Sequence, residues 1–335
     1  MANRLFNFFS GTNNKKDKGI TKQEAEYDKN LGFAFFFKLL KNKLGKLSAS
    51  NLIFTLCNAF AFVALFGITG FLDDKTITAG DPLYAQSAAF YAAGGSVSPL
   101  TAALFTQYGV TVTLSVVSTA SKVLRWFAAA LVFTFGLSTV GLVYNIRNIC
   151  NGKHTESWSD YFYAIKRNLK QGLAVGIIDL LIILLLGYDL IAYNANAGNS
   201  FMMLVFYYAS ILFAAVYYIM RFYIYIQLVT CNMTIGKMFK NALILAALGI
   251  KRNVAAFFSS LAFALLFVYI WILLPQFAII FLCMFAVSFL TYIGVYCAYP
   301  NVKRYVIDPY YADHPEEASQ DNGDESDSIF SDNGW

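Results

Sequence analysis

Long apolar runs alternate along this chain with short basic segments. The runs Leu52–Leu72, Trp126–Ile146, Leu173–Tyr193 and Phe201–Thr230 each reach the roughly 20 residues needed to cross a hydrocarbon core about 30 Å thick. From Asn253 to Val302 there is no charged residue at all. As helix that run is about 75 Å long at 1.5 Å per residue, enough for two crossings. Leu274-Pro275-Gln276 is the natural turn within it, because proline cannot continue the helical hydrogen-bond ladder. The pattern predicts an all-α, polytopic membrane protein. Six transmembrane helices are expected, at about 52–72, 126–146, 173–193, 201–230, 254–274 and 276–299.

Outside the runs the pattern divides the chain further. Residues 1–50 form a basic arm. Residues 1–29 have no apolar period and are expected to be disordered. Between 31 and 47, Phe33, Phe36, Phe37, Leu40, Leu44 and Leu47 recur at helical spacing among Lys38, Lys41 and Lys46. That is an amphipathic helix, expected to lie on the inner leaflet. The membrane domain covers 51–307. Within it, residues 75–122 are rich in small residues, broken by Gly94-Gly95 and Pro99, and uncharged from Pro82 to Ser121. This insertion is expected to be extracytoplasmic or re-entrant, with Val110–Ala120 a strand or the outer end of the next helix. Residues 308–335 hold nine acids and no Lys or Arg, and read as a disordered acidic tail. The first long apolar run starts only at Leu52, so no cleaved leader is expected.

Composition sharpens the picture. The chain is 58% hydrophobic and 13% charged, against about 25% charged in soluble domains. All but Lys75, Lys122, Arg125 and Arg221 of its 25 Lys and Arg lie on the N-terminal arm, in 147–172, in 231–253 or at 303–304. An excess of Lys and Arg marks the cytoplasmic side, so both termini are expected there. The net charge of +5 therefore reads as orientation in the bilayer rather than affinity for nucleic acid. The five cysteines pair by spacing neither with each other nor with His154 or His314, so no disulfide framework or metal site is expected. H-E-x-x-H, Walker A and G-x-S-x-G motifs are absent. No cofactor and no enzymatic activity are expected.

Ionisable residues at membrane depth are the functional candidates, because charge in hydrocarbon is costly. Taking Gly172 and Thr230 as boundaries, Asp179 lies about 10 Å deep and Arg221 about 13 Å deep on consecutive antiparallel helices. They form a candidate ion pair, either a structural clamp or a transport relay. Tyr188, Asp189 and Tyr193 form a candidate polar site at the outer interface. Asp179 and Asp189 are about 15 Å apart on one helix, so they make no aspartyl dyad. Trp158, Asp160, Lys166, Arg167 and Lys170 mark a cytoplasmic docking helix, expected to run unbroken into the third span. Ser157 and Asp160 have capping-box spacing at its start. The tyrosines at 207, 208, 217, 218, 223 and 225 read as an interface belt and helix packing rather than a sugar-stacking surface. Gly172-Leu-Ala-Val-Gly176 would let two helices approach closely.

Several blocks, in order, resemble the YesL-like family of bacterial membrane proteins. They are FGLSTVGLVYNIRNI at 135–149, WSDYFYAIKRNLKQG at 158–172, GYDLIAY at 187–193, MRFYIYIQLVT at 220–230, MFKNALILAALGIKRN at 238–253 and YPNVKRYVIDP at 299–309. Leu137 stands where the family usually has proline, and the 75–122 insertion is longer than its pattern. The resemblance implies a multi-pass protein of the bacterial cell membrane, of a family whose own activity is unknown and whose members often accompany carbohydrate uptake. Its expected partners are the lipid bilayer and ABC-type permease subunits or further copies of itself. A non-enzymatic accessory is the first expectation, and a transporter using Asp179 and Arg221 the second.

Overall fold

The computed structural model describes residues 32–70, 72–79, 111–151, 155–198 and 200–313, with short pieces at 93–94, 98 and 100. The disorder expected of residues 1–29 lies outside them, as do the acidic tail beyond residue 313 and most of the 75–122 insertion. The chain is an all-α polytopic membrane protein. Among the described residues, five helical stretches are long and apolar enough to cross a membrane: Thr119–Cys150, Leu169–Asn196, Phe201–Thr230, Ile250–Leu273 and Pro275–Tyr310.

The sixth expected span, 52–72, is not one helix. Helix α1 (Phe33–Cys57) takes in both the amphipathic stretch and the start of that span, and α2 (Ala59–Ile68) follows a break at Asn58. Asn58 leaves the helical region, at φ −106° and ψ 19°. Its Nδ2 donates to the Phe54 carbonyl at 2.9 Å and to Ser138 Oγ at 2.7 Å. Its Oδ1 accepts from Thr134 Oγ1 at 3.1 Å. A short amide side chain competes with the backbone for such bonds, which is why Asn punctuates helices.

The same device corrects a second expectation. The helix from Trp158 does not run unbroken into its span: α5 (Ser157–Arg167) and α6 (Leu169–Asn196) are separated at Asn168. Asn168 adopts φ −106° and ψ 22°, and its Nδ2 donates to the Ala164 carbonyl at 3.0 Å.

The described residues divide into two units, those up to Asn58 together with those from Val132 onward, and those between Ala59 and Leu131. In the smaller unit, strands β1 (Asp74–Ala79) and β2 (Thr111–Val116) pair antiparallel, Asp74 opposite Val116. Helix α3 (Thr119–Trp126) follows, with Ser118 Oγ accepting from the Ser121 amide at its start. The stretch read as strand or helix is therefore both, in succession. Arg125 Nε donates to the Gly67 carbonyl at 2.7 Å, tying α3 to α2.

In the larger unit, α4 (Leu131–Cys150), α5, α6 and α7 (Phe201–Thr230) precede α8 (Ile235–Leu248) and α9 (Ile250–Leu273). After the expected break at Leu274, α10 (Pro275–Phe281) starts with proline in its first turn, leads through a π-helical turn at Leu282–Ala286, and continues as α11 (Val287–Val302). A second π turn and α12 (Asp308–Asp313) end the described chain. Burial concentrates at one end of the long helices. On α4 every residue from Ser138 to Cys150 is buried, and on α7 every residue from Tyr223 to Thr230. In the first half of α7, Phe201, Leu212 and Phe213 are exposed, as apolar side chains facing lipid are. Asn151 Nδ2 donates to the Tyr299 hydroxyl and Asn301 Nδ2 to that of Tyr223. These bonds gather the closing ends of α4, α7 and α11, the ends beside the basic segments.

Candidate functional site

Asp179 faces inward from α6, only 1% exposed. Its Oδ1 accepts from the Tyr217 hydroxyl at 2.8 Å, and its Oδ2 from the Tyr225 hydroxyl at 2.8 Å. Arg221 Nε lies 2.8 Å from Oδ1 and 2.9 Å from Oδ2. The three donors sit at i, i+4 and i+8 on α7, one stripe of a single helix. The Arg221 guanidinium also lies over the rings of Phe135 and Tyr225, at 5.4 and 5.8 Å from their centroids. A buried carboxylate is tolerable only when paired and hydrogen-bonded, and this one has both forms of relief.

Close approach of the neighbouring helices shapes the same region. A methyl group on Gly136 of α4 would overlap the backbone of Gly176 on α6, and one on Gly176 would overlap Gly136. The Gly172–Gly176 motif therefore does bring helices together, with α4 as the partner. Gly176 lies one turn before Asp179, so this contact seats the carboxylate's own helix.

The docking-helix residues occupy a different place. Trp158 is 42% exposed and stacks on Phe162. Asp160 accepts from the Glu156 amide at 2.8 Å, which is the reciprocal half of a capping box. The other half is absent. Ser157 is already the first helical residue, and its buried hydroxyl has no partner among the described residues. Lys166, Arg167 and Lys170 line a cavity of about 540 Å³ at the Asn168 break, with Gln171, Thr230 and Asn232. Tyr161, on the inner face of α5, donates to the Ser138 carbonyl at 2.6 Å. Burial pushes its phenol well above the usual value.

The outer candidates are not brought together. Tyr188 is 70% exposed, and Tyr193 packs on the Phe206 ring. No hydrogen bond among the described residues joins either to the half-buried Asp189.

Sequence reasoning missed three polar features. Tyr217 and Tyr225 are donors to Asp179 rather than parts of a belt, and their four-residue offsets from Arg221 were the available signal. Arg147, 8% exposed, caps α7: its Nη1 donates to the Val229 carbonyl at 3.1 Å and to Thr230 Oγ1 at 3.2 Å. A cation suits the negative end of a helix dipole. Asn51 of α1 is fully buried and services the π turn. Its Nδ2 donates to the carbonyls of Leu282 and Cys283 at 3.0 and 2.7 Å, and its Oδ1 accepts from the Ser288 amide at 2.7 Å. A π turn shifts the ladder by one residue and leaves backbone groups free, so a two-way amide is the fitting complement.

No curated protein and no solved structure matches the chain. Residues 103–190 match the family described as "Protein of unknown function, DUF624", a segment that carries Asp179 and the basic helix α5 but not Arg221 or its flanking tyrosines.

Proposed function

We propose that the chain is a non-enzymatic accessory of a solute-uptake system, acting as a rigid membrane scaffold with a basic docking face. The observation that carries this reading is the closure of the Asp179 site. Both carboxylate oxygens are occupied by donors from one adjacent helix, and the group is 1% exposed. A transport relay needs a carboxylate that exchanges partners with solute or water. This one acts as a clamp that holds α6 to α7 within the bilayer. The resemblance to the YesL-like family supports a bacterial cell membrane and carbohydrate uptake as the setting. The distribution of Lys and Arg supports cytoplasmic termini. On that reading Lys166, Arg167 and Lys170 face the cytoplasm, where permease subunits or a second copy of the chain would meet them.

The alternative is a transporter in its own right that opens the Asp179–Arg221 pair. One observation favours it: the Arg221 side chain keeps 23% of its exposure. Purification from native membranes, with identification of what stays bound, tests the accessory reading, which expects permease subunits. Solute flux into liposomes containing this protein alone, abolished by Asp179→Asn, would overturn it in favour of the transporter.

A further inference from the structure

Helix α9 opens with two cations. Lys251 and Arg252 stand in its first turn, after Gly249 and Ile250. The helix dipole already places about half a positive charge there, so cations are disfavoured at that end. Neither side chain has a carboxylate or a hydrogen-bond partner among the described residues. Two uncompensated cations at a helix N-terminus make a local excess of positive charge.

Beside them lies a cavity of about 460 Å³ bordered by α1, α9 and α11. Phe36, Phe289 and Tyr296 form aromatic walls, while the small residues Ala255 and Ser259 continue the Lys251 face of α9 inward. Ser259 is eight residues beyond Lys251, about 12 Å along the axis. The cavity therefore has a charged mouth and an apolar body in line with a membrane helix. Phe37 on its rim is 50% exposed, which leaves the body open to the side.

We propose that this groove holds one anionic glycerophospholipid, its headgroup phosphate at Lys251 and Arg252 and an acyl chain along Ala255, Ser259 and Phe289. The charge pattern selects this occupant. A zwitterionic lipid would bring its own cation toward the two basic side chains. A free anion would leave the aromatic body uncovered. Basic pockets between membrane helices take anionic headgroups, and each cation near the surface adds to the attraction.

The test uses the full chain, purified in a non-ionic detergent and examined by native mass spectrometry. The probes are phosphatidylglycerol, phosphatidylcholine and inorganic phosphate. The expected result is one retained phosphatidylglycerol, preferred over phosphatidylcholine by about ten-fold or more, given two cations at the headgroup. Lys251→Gln with Arg252→Gln removes that preference. Ser259→Trp, which fills the body and leaves both cations, weakens retention. Lys166→Gln with Lys170→Gln, at the other basic cavity, leaves it unchanged. Equal retention of the two lipids would overturn the proposal. So would undiminished phosphatidylglycerol retention by the Lys251/Arg252 variant, or its displacement by millimolar inorganic phosphate. The charge variant alters one exposed and one half-buried side chain and adds no bulk to the groove, so the proposal stays testable if Ser259→Trp does not fold.

Discussion

The Nε of Arg221 sits across both carboxylate oxygens of Asp179, 2.8 Å from one and 2.9 Å from the other. Removing one member of such a pair strands the other in a low-dielectric setting. Asp179→Asn and Arg221→Gln are each expected to cost about 3–5 kcal/mol, the usual penalty for breaking a buried pair. Thermal unfolding in detergent reads this loss. A double-mutant cycle should show coupling well above the roughly 0.6 kcal/mol average of interhelical hydrogen bonds in membranes. Strict additivity would dissolve the pair as an energetic unit. The exchange Asp179→Arg with Arg221→Asp should rescue only in part. Tyr217 and Tyr225 would then point their hydroxyls at a guanidinium, which accepts nothing.

The two tyrosines carry a prediction of their own. Each donates to an ionised carboxylate, a bond worth about 1.5–3 kcal/mol when its loss leaves the acceptor unsatisfied. Tyr217→Phe and Tyr225→Phe should each destabilise the folded protein within that range. Tyr208→Phe, on the exposed end of the same helix (Tyr208 is 62% exposed), should have no measurable effect. Equal effects at all three positions would return the tyrosines to the role of a generic aromatic belt.

These side chains also show where the sequence was readable. The 30-residue helix Phe201–Thr230 coincides with an uncharged run interrupted only by Arg221, because a bilayer imposes one length and one composition on whatever crosses it. The meeting of Asp179 and Arg221 was readable for a related reason: their depths match on consecutive helices, and a lone charge is costly there. The breaks at Asn58 and Asn168 were not readable. A single Asn in an apolar run is compatible with a continuous helix, and the break at Asn58 is fixed by Ser138 and Thr134, far along the chain. The Asn51 complement to the π turn depends on Leu282, Cys283 and Ser288 in the same way. Periodicity reports which face is apolar. It is silent on which polar atom will meet which.

The glycine contact between α4 and α6 separates close approach from mere flexibility. Gly176→Ala places a methyl group into the backbone of Gly136, and overpacking of this kind costs about 1–3 kcal/mol. Gly187→Ala, eleven residues later on the same helix, meets nothing within 4 Å. It should be neutral or stabilise by up to about 1 kcal/mol, the helix propensity difference. Opposite outcomes at the two positions in one unfolding assay support the α4–α6 contact, and similar outcomes refute it.

Cys231, just beyond α7, gives a pH-dependent test of the buried basic end. It is 3% exposed. Burial pushes its thiol up to about 12, while the nearby Arg147 pulls in the opposite direction. A free thiol ionises near 8.5, and only the thiolate attacks a maleimide. Between pH 7 and 9 the folded protein should leave Cys231 unlabelled, whereas denaturation at the same pH should expose it to rapid reaction. Arg147→Ala removes the guanidinium that caps Val229 and Thr230. It should loosen this corner enough to admit the reagent, although the thiol loses a cation that favours its ionised form. If Cys231 stays unlabelled in the variant, the Arg147 bonds do not hold this corner closed.

The π turn offers the most local prediction. Asn51 satisfies two carbonyls and one amide there, and Thr55 Oγ1 adds a second bond to the Cys283 carbonyl at 3.1 Å. Asn51→Leu keeps the branching with somewhat more bulk and removes all three bonds, so the Leu282 carbonyl and the Ser288 amide lose their side-chain partner at about 1–3 kcal/mol each, while the Cys283 carbonyl keeps Thr55. The chain has a cheaper route than bearing that cost, since shifting the ladder by one residue would convert the π turn to regular α-helix. Hydrogen exchange distinguishes the two responses. If the π turn persists, the Ser288 amide exchanges faster in Asn51→Leu than in the natural protein, and the effect stays within about one turn. If the ladder resets, Ser288 stays protected, and the register of α11 moves against α1, where Tyr292 and Tyr296 donate to the carbonyls of Phe36 and Gly32. Those two bonds anchor α11 on the far side of the turn. Local acceleration at Ser288, with no change at residues 292–302, is therefore the expected result.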